Sequence, residues 1–270
     1  MKSSKNNLIG GALRPNAGIA SDYAKPIVKE IGLMSRDVER QLKRLFTEPD
    51  YGYAMDASIS SQARILLNYL MDKWQKRFKE IAEDATDRMI KRTVKNSSIT
   101  LGISLKELSE NFEIDTSVIS PKIRDVIKAS SQEAANLIKL IPQKYLGDVQ
   151  GAVMRSITTG KGLRDLVPFL EAKYNGNLRH AKNVALDQTR KTYQAVTRSR
   201  LQSLGVKKFK WVHSGGGREP RQEHIRMSGK EYLFDNPPEI GIMYGETVRG
   251  FPGELPNCRC TLSPVIDLQT

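Results

Sequence analysis

Seven apolar residues set the strongest constraint on this chain. Leu67, Leu70, Trp74, Phe78, Ile81, Ala85 and Met89 step by three and four through a charged stretch, which puts them on one face of an α-helix. The spacing predicts an amphipathic helix over 60–94, of a length that suits a helical hairpin or bundle. The same reading predicts helices over 26–46, 121–141, 145–157, 163–174 and 178–204. A short helix is expected to open at a capping box made by Ser104 and Glu107. Local signals set the expected ends. Ser120-Pro121 supplies a cap followed by proline in the first helical position. Pro142 stops the helix before it. Asn175-Gly176-Asn177 reads as a break, and the segment TEPDYGYAMDAS over 47–58 reads as a turn-rich loop.

After Gly205 the pattern changes. Glycine and proline become frequent, and short β-like runs appear over 208–213, 231–234 and 261–266. At the other end, residues 1–25 hold Gly10-Gly11, Pro15 and Gly18, with basic residues and no acid before Pro15; they read as a flexible basic arm. The expected fold class is mainly α, with an elongated helical body over 26–176. A C-terminal module over 177–270 follows, built from the long helix 178–204 and a small, loop-rich α+β unit over 206–270.

Composition narrows the function classes. At 39% hydrophobic and 27% charged residues the chain belongs with folded globular proteins rather than disordered ones. No apolar run approaches the roughly 20 residues of a membrane-spanning helix, so no membrane partner is expected. The polar, basic N-terminus lacks the apolar core of a signal peptide. Two cysteines in 270 residues exclude a disulfide framework and point to reduced thiols and synthesis in a cytoplasm.

The net charge is +13, and residues 207–270 account for only +1 of it, with nine Lys/Arg against eight Asp/Glu. The densest basic stretch holds Arg179, Lys182, Arg190, Lys191, Arg198, Arg200, Lys207, Lys208 and Lys210, with Asp187 as its one acid. A stripe of this kind attracts the phosphates of double-stranded DNA by Coulomb attraction and counterion release. A solvated helix face, or one that meets an acidic protein, is the competing reading.

Three constellations bear on chemistry. The segment TTGKG over 158–162 fails as a phosphate-binding loop, because Arg155 and Gly162 stand where that motif needs glycine and a hydroxyl residue. Glu219 and His224 follow the glycine-rich run HSGGGRE and offer a carboxylate and an imidazole for acid–base work. They equally suit a loop held by an Arg–Glu pair and a histidine hydrogen bond. Both cysteines, Cys258 and Cys260, and two of the three histidines, His213 and His224, fall in the small C-terminal unit. Four nitrogen and sulfur donors satisfy tetrahedral Zn²⁺. The Cys-x-Cys spacing, tighter than usual for structural zinc, favours the other reading, in which the thiols are small buried hydrophobes and no cofactor is bound.

The ordered set of motifs in the last third resembles the Mu F-like phage minor head (head morphogenesis) proteins. Ala185, Asp187, Gln188 and Lys191 fit the family's helix pattern, and Trp211 its tryptophan strand. Arg221 and His224 fit the Arg-x-x-His turn, and Gly229 and Tyr232 the glycine turn before an aromatic. Pro252 and Gly253 fit the proline–glycine loop; Asn257, Cys258, Arg259, Cys260 and Pro264 fit the closing run. Trp211, Arg221, Gly229, Asn257 and Arg259 are its structural signature here. Two departures stand out: the glycine-rich run replaces an aspartate common after the tryptophan strand, and Leu255-Pro256 stand where many relatives have histidine.

The resemblance implies a non-enzymatic structural component of a phage virion. It would be made in the host cytoplasm, sit inside the capsid near the portal, contact portal or major capsid protein, and act in DNA packaging or ejection. The alternative is a metal-dependent nuclease or toxin-like enzyme built on the C-terminal module, which needs Glu219, His224 and the cysteines to converge.

Overall fold

A computed structural model of the chain describes residues 7–48, 58–108, 115–215, 219–243 and 245–267. In chain order the elements are β1 (Asn7–Ile9), α1 (Ala17–Thr47), α2 (Ile59–Lys106), α3 (Pro121–Thr159), α4 (Leu163–Ser203), β2 (Lys208–Val212), α5 (Gln222–Met227), β3 (Glu231–Leu233), β4 (Glu239–Met243), β5 (Glu246–Arg249) and β6 (Thr261–Asp267). Long helices followed by a small strand-rich region are the expected fold class. The chain forms two compact units, neither of them continuous in sequence. Unit 1 is Met1–Ala20, Met89–Ser131 and Leu186–Thr270; unit 2 is Ser21–Arg88 and Gln132–Ala185.

Every secondary-structure element among the described residues of unit 2 is a helix. From α1 the unit buries Ile27, Ile31, Met34, Val38 and Leu42, spaced as one helix face. Of the seven-residue face expected in α2, Leu67, Leu70, Trp74, Phe78, Ala85 and Met89 are buried and Ile81 is half-buried. Among the ionic groups of this unit, one centres on Asp37. The Asp37 carboxylate, 6% exposed, accepts hydrogen bonds from Lys73 Nζ (2.7 Å), Arg40 Nη2 (2.7 Å) and Trp74 Nε1 (3.1 Å). Burial alone would raise its pKa. The bonds from Lys73, Trp74 and Arg40 outweigh burial and hold the pKa below its ordinary value. A depressed folded pKa contributes stability that is complete above the unfolded value of about 3.9 and is lost as pH falls through the folded one. Asp37→Ala is therefore expected to cost about 2 kcal/mol at neutral pH, because Trp74 Nε1 loses its acceptor. Denaturant titrations followed by circular dichroism will show the gap between variant and wild type closing as pH drops below about 4.

The helices run through two of the expected stops. Pro142 lies inside α3, and 175–177 lie inside α4. Ile138, Ile141, Tyr145, Leu146 and Val149 continue one buried face on both sides of Pro142. That packing outweighs the one hydrogen bond a proline removes. Gly176 is likewise carried within a helix that packing maintains. The Ser104–Glu107 capping box does not exist: α2 continues to Lys106, and Ser104 Oγ donates to the Gly11 carbonyl (2.9 Å). The cap at α3 is present, with Ile123 N donating to Ser120 Oγ (3.3 Å) ahead of Pro121.

Unit 1 carries an antiparallel four-stranded sheet in the order β1-β6-β2-β3, and a β4-β5 hairpin. β6 pairs with β2 from Lys208↔Val265 to Val212↔Thr261. The three strands expected from the sequence are β2, β3 and β6. The first residues are not a free arm in their described part. Asn7–Ile9 pair with β6, and the buried Leu13 bridges to Leu262 through a 2.8 Å N–H to carbonyl bond. Residues 1–6 and 49–57 lie outside the described residues, and with them the start of the expected arm and most of the 47–58 loop. One face of the sheet buries Phe209, Trp211 and Leu262; Val265, opposite Lys208, is buried on the other. Tyr193 and Leu201 of α4 and Leu101 and Leu105 of α2 are also buried in this unit.

Candidate metal centre and adjoining basic cleft

Three segments of unit 1 meet at the cysteines. His213 follows β2 directly, His224 lies in α5, and Cys258 and Cys260 precede β6. Asn257 adopts a left-handed backbone (φ 60°), which turns the chain before the pair, and its N–H donates to Asp187 Oδ1 (2.7 Å). From there the alternation of an extended chain sends Cys258 and Cys260 inward and leaves Arg259 exposed. Both thiols are buried and free.

His224 is 2% exposed, and its ring meets the Trp211 indole edge-on at 5.1 Å and 71°. Its Nε2–H donates to the Ile240 carbonyl (2.9 Å), and Nδ1 faces the sulfurs, at 3.4 Å from Cys258 Sγ and 3.6 Å from Cys260 Sγ. His213 Nδ1 is 3.4 Å from Cys260 Sγ. The donor atoms of His224, Cys258 and Cys260 all lie within 4.8 Å of one another. The four residues named from the sequence are thus brought to one place. Cys258 is the sulfur that ionises: a hydrogen bond from Cys260 outweighs burial and, with one from His224, lowers its pKa to about 4. The same partnership and burial push the Cys260 thiol upward. For His224 burial opposes the charged form, but the bonds to Cys258 and Ile240 prevail and its pKa rises. Glu219, on which the hydrolase reading depends, is exposed and is not a member of this cluster.

The signature residues hold these segments together. Trp211 is fully buried; its N–H donates to the Lys230 carbonyl (2.9 Å), and its carbonyl accepts from Gly229 N (2.8 Å). Gly229 has φ 85°, a conformation that suits glycine. Arg221 Nη2 donates to the Pro256 carbonyl (3.1 Å) and so ties the start of α5 to the loop before the cysteines.

Next to Cys260 lies a cleft of about 240 Å³, lined among others by Arg14, Asn16, Arg190, Gln194, Ser214 and Arg259. Burial, and then the charge of Arg259, lower the Arg190 pKa. Three guanidinium groups around one concave surface make an anion-attracting feature. The linear charge count missed it, because Arg14 and Arg259 are far from the basic stretch in sequence.

That basic stretch is less uniform than its sequence suggests. Arg179 and Lys182 are exposed in unit 2, and Lys207 is exposed in unit 1. Arg190 and Lys210 are half-buried. Lys191 pairs with Asp187 (3.2 Å), Lys208 with Asp267 (3.3 Å), and Arg198 with Glu254 while stacking 4.1 Å from the Phe251 ring. Arg200 does not belong to the surface at all. It is 3% exposed and donates to the Val94 carbonyl (2.8 Å), because it shares the inner face of α4 with Tyr193 and Leu201.

Comparison with known proteins places this assembly. Residues 147–263 match the family described as "Phage Mu protein F like protein". This segment is similar to that family. It takes in the last turns of α3, all of α4, and the strand-rich unit through both cysteines, and so begins well before the 177 boundary expected from the sequence. An uncharacterized protein of Haemophilus influenzae (strain ATCC 51907 / DSM 11121 / KW20 / Rd) is 28% identical over 251 residues, covering 91% of this chain and 53% of its own length. The uncharacterized protein YqbB of Bacillus subtilis (strain 168) is 26% identical over 197 residues, covering 70% of this chain and 62% of its own. The chain thus matches only about half to three fifths of the length of these two relatives. No solved structure gives a significant match. No helix among the described residues is long and apolar enough to cross a membrane.

Proposed function

We propose that this chain is a minor head protein of a phage particle, acting in head morphogenesis as a structural component rather than an enzyme. The observation that carries the reading is the Mu F-like match across 147–263. Supporting it, the signature residues have structural work in the fold: Trp211, Gly229 and Asn257 build the sheet and its turns, and Arg221 clamps a loop. In this reading the protein is incorporated inside the capsid beside the portal, docks on portal or major capsid protein, and meets the packaged genome.

DNA contact is the part most open to direct test. The surplus of +13 favours phosphate binding, and the exposed members of the basic stretch are Arg179 and Lys182 in unit 2 and Lys207 in unit 1. Each phosphate contact adds about −0.9 to the slope of log affinity against log salt. Fluorescence anisotropy with a random duplex measures this. Changing Lys182 and Lys207 to Glu is expected to flatten the slope by about 0.9 per lost contact, whereas Arg200→Lys leaves the slope unchanged. Affinity that does not vary with salt removes DNA from the account.

A further inference from the structure

We propose that His213, His224, Cys258 and Cys260 bind one zinc ion as a closed, tetrahedral, structural site that fastens β2, α5 and the start of β6 to one another. The inference goes beyond the minor-head reading and does not depend on it.

Distance is the first argument. Zinc bonded to sulfur at 2.3 Å and to nitrogen at 2.0–2.1 Å in a tetrahedron puts neighbouring sulfur and nitrogen donors about 3.6 Å apart. Three of the four sulfur–nitrogen pairs among these residues lie 3.4, 3.4 and 3.6 Å apart. His224, Cys258 and Cys260 are therefore spaced as three corners of one coordination tetrahedron, and His213, in reach of Cys260, is the residue placed to supply the fourth.

The second argument is the direction of the lone pairs. A neutral packing needs only one thiol for each imidazole: Cys258 donating to His224, and Cys260 donating to His213. Here His224 Nδ1 is approached by both sulfurs, although it has one lone pair to offer. A cation at the centre satisfies every donor at once. The Nε2–H bond from His224 to the Ile240 carbonyl fixes the tautomer that such a ligand requires, as the outer shell of a metal-bound histidine commonly does.

The Trp211 indole packs edge-on against the His224 ring at this site. The indole nitrogen is buried and has no hydrogen-bond partner among the described residues. Two thiolates would neutralise a divalent ion, which suits a buried position, and sulfur with imidazole selects zinc over magnesium or calcium. Binding would expel the remaining thiol protons to solvent. All four positions are filled by side chains, so the role is structural. The three anchored segments carry only short elements, a six-residue helix and a loop, and gain most from a common fastening.

The test uses the full chain, made with zinc supplied and analysed for metal content. About one zinc per chain is expected, and a chelator is expected to lower the unfolding temperature until zinc is restored. Cobalt(II) loaded in its place is expected to show tetrahedral d–d absorption together with a thiolate charge-transfer band. Cys258→Ser and Cys260→Ser should abolish that band. If either variant fails to fold, His213→Ala decides. His213 stands at the rim of the site rather than in the core, so the variant should keep its helical circular dichroism while binding zinc at least about tenfold more weakly. No retained or reconstituted zinc, with an unfolding temperature indifferent to zinc and chelator, overturns the site. Zinc binding that is unchanged in His213→Ala overturns the four-ligand assignment.

Discussion

Trp211→Ala is expected to destabilise unit 1 by about 3–5 kcal/mol, the cost of a large cavity in a packed core. Trp211 is fully buried, stands opposite Leu262 in the β2–β6 register, and walls both the His224 ring and Tyr232. Removing the indole leaves a void beside the imidazole, so the loss should exceed that of a peripheral sheet residue. Trp211→Phe should cost much less, since most of the contact area remains. The chain has two tryptophans, Trp74 in unit 2 and Trp211 in unit 1. In the Trp211→Ala protein the remaining fluorescence reports on unit 2 alone. Urea titrations read by fluorescence and by circular dichroism will then separate, with a unit 1 transition at lower urea. Coincident transitions at the wild-type midpoint would show that the indole is not the keystone of this sheet.

Leu13→Ala is expected to cost about 2–5 kcal/mol, and removal of residues 1–13 more than that. Leu13 is 1% exposed, its N–H donates to the Leu262 carbonyl, and its own carbonyl accepts from Thr261 Oγ1. The truncation also strips β1 from β6. An uncovered β6 edge presents unpaired N–H and carbonyl groups, so the shortened protein should associate as well as unfold earlier. Denaturation and light scattering measure the two effects. A truncated protein as stable and as monodisperse as the full chain would mean that the N-terminal residues are an appendage.

How much of this was legible in sequence follows from the range of the forces involved. The face from Leu67 to Met89 could be read because periodicity is local. The strands at 208–212, 231–233 and 261–267 were legible for the same reason. The expected breaks at Pro142 and at 175–177 were overruled by apolar faces that continue past them, and that choice is made by neighbouring helices rather than by the residues at the break. β1 was missed because Asn7–Ile9 become a strand only on meeting β6, at the other end of the chain. Arg200 looked like its basic neighbours, and only helix phase and the Val94 carbonyl distinguish it. For the cysteine cluster, residue type and scarcity singled out the residues that the fold brings near one another. Their spacing depends on the Asn257 turn and on the Ile240 carbonyl, neither of which announces itself in sequence.

The central claim, that this chain is a structural part of a phage head, is tested most directly by locating it in assembled particles. Purified heads of the phage or prophage that encodes it should be analysed by quantitative mass spectrometry and by asymmetric reconstruction. The account predicts a few copies per particle, retained after washing, with density for the Mu F-like module inside the shell beside the portal. Heads that contain no trace of the chain, yet assemble and fill with DNA normally when it is deleted, would contradict it.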